Sequence, residues 1–107
     1  MVIYKKLVRD KIPGIIEDSG GKYDFTILDQ ETFILELKKK LQEEVSEYLT
    51  SSTDDNALEE LADILELLHS LAKTHHGNIE EVEKIRQNKF EERGGFKRKC
   101  FLVSVNE

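Results

Sequence analysis

Four acids carry the most legible chemistry in this chain. Glu44 and Glu47 stand three residues apart, and after an interval of twelve residues Glu60 and Asp63 repeat that spacing. On an α-helix, at about 100° per residue, positions three apart share one face, so each pair can present two carboxylates together. The polar break Leu49–Asn56 separates the pairs onto two helices, which a short connection makes antiparallel neighbours. The acids are then either an ordinary solvated face or a metal site.

Their angular positions favour the second. On the first helix Phe33, Ile34, Leu37, Leu41, Val45, Tyr48 and Leu49 form one apolar arc. Glu44 falls inside it, Glu47 at its edge, and Glu43 points to water. On the second helix the arc holds Leu58, Leu61, Ala62, Ile64, Leu65, Leu67, Leu68, Leu71 and Ala72. Glu60 lies within it and Asp63 at its border, while Glu59 and Glu66 point outward. A carboxylate in a packed seam is costly unless its charge is compensated. Four of them raise one another's pKa unless a cation is present. Oxygen donors on rigid helices, with room for water and phosphate, suit Mg²⁺, and helix bundles build carboxylate metal centres from inward acids on facing helices.

The rest of the chain must position these acids. In the segment Lys5–Glu17, Asp10 can cap a short helix with Pro13 in its first turn, flanked by Arg9 and Lys11, and Ser19-Gly20-Gly21 ends it. Asp29, or alternatively Thr32, caps the first long helix, whose run Lys38-Lys39-Lys40 reads as solvated stems. The second long helix starts near Asp54 to Asn56 and continues to about Lys73. Its wide apolar arc calls for burial on more than one side, hence for a homodimer or homotetramer. Asn78 caps a third through about Arg93, where Arg86, Lys89 and Arg93 share a face with Ile79, Val82 and Phe90. Such a cationic line needs an anionic partner (the acid quartet or a polyphosphate) unless its stems only snorkel past apolar neighbours. Phe96, after Gly94-Gly95, can fold back on the core. Lys22–Leu28 and Cys100–Val105 are β-prone and are expected to pair as a small antiparallel ribbon. The expected fold is therefore mainly α: one domain over residues 1–107, an antiparallel helix bundle with a two-stranded β ribbon from its terminal segments.

Composition narrows the function. At 107 residues, with 38% apolar and 36% charged side chains, the chain suits a single helical domain with a modest core. Its net charge of -6 disfavours a nucleic-acid partner, but not a phosphorylated small molecule held through metal. The single cysteine, Cys100, fits a reducing compartment. No long apolar run suggests a signal peptide or membrane span, so the cytoplasm is expected. His69, His75 and His76 lack a second pair at ligand spacing. No phosphate-binding Gly-x-x-x-x-Gly-Lys loop is present.

The pattern Glu44-x-x-Glu47, twelve residues, Glu60-x-x-Asp63 resembles the signature of the MazG-like, all-α nucleoside triphosphate pyrophosphohydrolases. The opening Lys6-Leu-Val-Arg-Asp-Lys-Ile-Pro13 and the later Lys89…Arg93-Gly-Gly-Phe96 are similar to a subgroup labelled phosphoribosyl-ATP pyrophosphohydrolase-like. The resemblance implies an oligomeric helical bundle and a Mg²⁺-dependent hydrolase that converts a nucleoside triphosphate to monophosphate and pyrophosphate. It assigns the metal to Glu44, Glu47, Glu60 and Asp63. Substrate contacts fall to Lys89 and Arg93, with Arg86 or Asn88, and to Arg9 and Lys11 in the opening motif. Glu44 or Glu47 would orient or deprotonate the attacking water as general base. Two alternatives stand beside this: a phosphoribosyl-ATP pyrophosphohydrolase of histidine synthesis, and a non-catalytic oligomeric module that binds nucleotide or a protein partner.

Overall fold

A computed structural model describes residues 2–106. Four helices follow one another: α1 (Ile12–Asp18), α2 (Gln30–Thr50), α3 (Asp54–Thr74) and α4 (Ile79–Arg93). Their starts follow the capping chemistry of the sequence. Asp29 Oδ1 accepts from the Thr32 amide at 2.8 Å, Thr53 Oγ1 from Asn56 at 3.2 Å, and Asn78 Oδ1 from Glu81 at 2.9 Å. Acids in the first turns of α2, α3 and α4 (Glu31, Asp54, Asp55, Glu80, Glu81) complement the positive helix ends. α1 departs from expectation: Lys11 occupies its N-cap without a side-chain bond, although Pro13 does lie in the first turn. Gly20, at φ +83°, then reverses the chain in the left-handed region that a side chain would strain.

α2 and α3 form an antiparallel hairpin joined by Ser51-Ser52-Thr53 and make the most extensive helix contact; α4 packs more lightly on α3, and α1 packs on no other helix. The inner stripes are Ile34, Leu37, Leu41 and Glu44 on α2 against Glu60, Ile64, Leu67 and Leu71 on α3, residues three or four apart that share a face. Among the described residues only Leu37, Leu67, Ala72 and Glu44 are buried. One of these four core positions is therefore a carboxylate.

The outer side of α3 is bare. Leu58, Leu61, Leu65 and Leu68 follow one another at helical spacing and remain exposed, as do Val45, Tyr48 and Leu49 near the end of α2. The chain exposes 10060 Å², against the roughly 6,100 Å² that surface scaling gives for a compact monomer of its mass. Its radius of gyration is 18.5 Å, where a compact domain of this length has about 13 Å. No helix of the described residues is long and apolar enough to cross a membrane.

The expected β ribbon does not form. Lys22–Leu28 and Cys100–Val105 run without regular structure, and no strand occurs among the described residues. A two-stranded ribbon is marginal unless one face packs on a further layer. Here Phe101, Leu102 and Val103 are at least 79% exposed, so no such layer covers them. Tyr23 and Phe25, two residues apart and on one side of the chain, stack on each other instead, with centroids 5.7 Å apart. Phe96 likewise does not fold back on the core; it is 97% exposed.

Candidate metal centre

Glu44 is placed by α2's inner stripe and Glu60 by that of α3, so the antiparallel hairpin sets the two carboxyls against each other. Glu47, one turn beyond Glu44, completes a group: one oxygen from each of Glu44, Glu47 and Glu60 lies within 4.8 Å of the other two. Burial is graded across the three. Glu44 is buried, Glu60 half-buried and Glu47 exposed, so the cluster opens to water on one side.

The electrostatics follow from that placement. Glu44 Oε2 and Glu60 Oε2 are buried and have no hydrogen-bond partner among the described residues. Lys40 Nζ stands 3.8 Å from Glu44 Oε1, too far for a good hydrogen bond and able to offset only part of the charge. The Glu60 carboxyl is pushed up to about 7. The first cause is the neighbouring Glu44 carboxyl, to which a protonated Glu60 can donate. Burial follows, and then the negative charges of Glu47 and Glu44. Two buried carboxylate oxygens without partners, in carboxyls this close, are satisfied either by such a proton or by a cation. Three carboxylates that converge from two rigid helices, open to solvent on one side, are a donor set that fits Mg²⁺.

Asp63 stands apart from this group. Its Oδ1 accepts from Arg9 Nη2 at 2.8 Å, a bond that spans 54 residues of sequence and ties the N-terminal segment to α3. Lys11 is exposed beside α1. The cations of α4 do not converge on the acids. Arg86 turns back along its own helix to Glu83, with Nε–Oε2 at 2.8 Å and Nη2–Oε1 at 2.6 Å. That pairing holds the Glu83 carboxyl below its usual range and raises Arg86. Asn88, Lys89 and Arg93 are exposed, and neither Lys89 nor Arg93 forms an ion pair among the described residues. The cation line of α4 therefore faces water here, while the basic side chains that do reach the acids are Arg9 and Lys40. Lys40 thus departs from the solvated stem that the Lys38–Lys40 run suggests. Its position four residues before Glu44 was the available signal.

Two surface depressions are lined by other residues: one between Lys5–Leu7 and Glu36–Glu43, the other at the α2–α3 turn around Tyr48, Leu49 and Ala57. In the chain taken alone, the acid cluster is an open seam. No family model, curated protein or solved structure matches the chain.

Proposed function

We propose that this chain is a Mg²⁺-dependent nucleoside triphosphate pyrophosphohydrolase that releases a nucleoside monophosphate and pyrophosphate. The observation that carries the proposal is the carboxylate group at the α2–α3 seam, with two buried oxygens that lack partners. The MazG-like spacing of its acids supplies the reaction class. Glu44, Glu47 and Glu60 hold the ion, and Asp63 is the fourth candidate ligand. Mg²⁺ supplies Lewis-acid polarisation of a phosphoryl oxygen.

The protein's own groups account for the remaining chemistry. Glu44 is buried and Glu47 exposed, so Glu47 is the carboxylate that water can reach, and it accepts the proton as water attacks the phosphoanhydride. The leaving pyrophosphate needs cationic cover. Arg9, paired with Asp63 one turn from Glu60, is the first candidate, and Lys11, Arg86, Asn88, Lys89 and Arg93 are further candidates. The bare leucine stripe of α3 and the surplus surface support assembly into a homodimer or homotetramer. The acidic net charge supports a small nucleotide over nucleic acid as partner, and the cytoplasm is the proposed location.

Pyrophosphate release from a panel of canonical and damaged triphosphates and phosphoribosyl-ATP tests this. The expected result is release from at least one substrate with Mg²⁺, abolished by EDTA, and reduced about 100-fold or more in Glu47→Gln. Turnover of phosphoribosyl-ATP alone would move the assignment to histidine synthesis. Silence across the panel would leave a non-catalytic helical module.

A further inference from the structure

Asp63 lies one turn after Glu60 on α3, yet its carboxylate is engaged by Arg9 rather than gathered with the three glutamates. Both partners are about half exposed, 58% for the Arg9 side chain and 44% for Asp63. An ion pair so open to water is weakly held. α1 packs on no other helix; the opening segment reaches α3 through this bond and borders α2 at Lys5–Leu7. From Lys5 to Lys11 that segment carries Lys5, Lys6, Arg9 and Lys11, with Asp10 its only acid.

We propose that Arg9 is an exchangeable counter-cation of Asp63: it holds this carboxylate while the centre is metal-free, and passes to the phosphate chain when a divalent ion claims Asp63. This rests on the assignment of the acid cluster as a Mg²⁺ centre. A divalent ion beside three glutamates attracts a fourth carboxylate one turn away more strongly than a half-exposed guanidinium does. The released guanidinium keeps its planar fork of donors, whose geometry matches phosphate oxygens. The same positive charge then serves two anions in succession, and the Lys5–Lys11 segment moves with it. Arg9 is thereby a positioning residue for Asp63 before loading and a substrate-binding residue after it.

The 107-residue chain contains four arginines, so their side-chain Nε–Hε signals are separable by NMR after arginine labelling. Arg9→Lys identifies the Arg9 signal. Mg²⁺ is titrated first, then inorganic pyrophosphate, with calorimetry on the same samples. The Arg9 signal is expected to shift with the same midpoint as Mg²⁺ binding, and to shift again with pyrophosphate. Arg9→Gln is expected to bind Mg²⁺ about three- to tenfold more tightly, because a competitor and a like charge are gone. The same variant is expected to bind pyrophosphate about tenfold more weakly once loaded. Lys22→Gln, a charge loss on an exposed loop, is expected to do neither, and circular dichroism checks that each variant folds. An Arg9 signal unmoved at Mg²⁺ saturation, or weaker Mg²⁺ binding in Arg9→Gln, would overturn the exchange while leaving the metal centre standing. Calorimetry without Mg²⁺ binding to the wild type would overturn both.

Discussion

Glu60 is the residue on which the energetics of the metal-free chain turn. Its carboxyl is raised from 4.5 to about 7 by Glu44, burial and Glu47. A raised carboxyl binds its proton more tightly folded than unfolded, so its contribution to stability is fully present below about pH 4.5 and is lost as the pH rises to about 7. Without divalent ions, the Tm contribution of this group therefore falls over that window and levels off above it. Glu60→Gln is expected to remove that component of the slope and to raise the metal-free Tm at pH 8, as followed by thermal denaturation across a pH series. Below pH 7, Mg²⁺ must displace the shared proton, so its affinity is expected to weaken as the pH falls and its binding to release protons into the buffer. At Leu37, the most buried position, the consequence is packing alone. Leu37→Ala is expected to cost about 3 kcal/mol in chemical denaturation.

At the scale of elements, the α2–α3 hairpin is both the core and the scaffold of the site, and much of it was legible in sequence. Helical periodicity placed Glu44 and Glu60 on inner stripes because a 3.6-residue repeat fixes side-chain direction once the helix exists. Asp29 and Asn78 announced two helix starts, and Thr53, the cap of α3, carries the same chemistry. Asn78→Ala is expected to cost about 1 kcal/mol, seen as fraying of α4 in amide exchange. Legibility ended where partners are remote. β propensity in Lys22–Leu28 and Cys100–Val105 named an extended conformation but could not supply the layer that a ribbon must cover. Nothing local in the sequence pairs Arg9 with Asp63, since the bond depends on how the opening segment crosses the hairpin. The cation line of α4 was read from one face of a single helix, and whether that face meets the acids depends on packing beyond the helix itself.

For the whole molecule, the excess surface is the dominant fact. Its leucine stripe on α3 has no cover among the described residues, where a single hairpin with three buried apolar residues is a small core. A second copy seated on that stripe would bury it. Leu61→Glu with Leu65→Glu is expected to yield monomers in sedimentation experiments and to lower the Tm. A monomeric wild type would remove the need for that cover.

Mn²⁺ binding followed by electron paramagnetic resonance tests, without any nucleotide, whether the carboxylate group is a divalent-cation centre. Saturable binding by the wild type at pH 8, lost or strongly weakened in both Glu44→Gln and Glu60→Gln while each remains helical, is the predicted result. Wild-type protein that binds no Mn²⁺, or variants that bind it as tightly as the wild type, would contradict it.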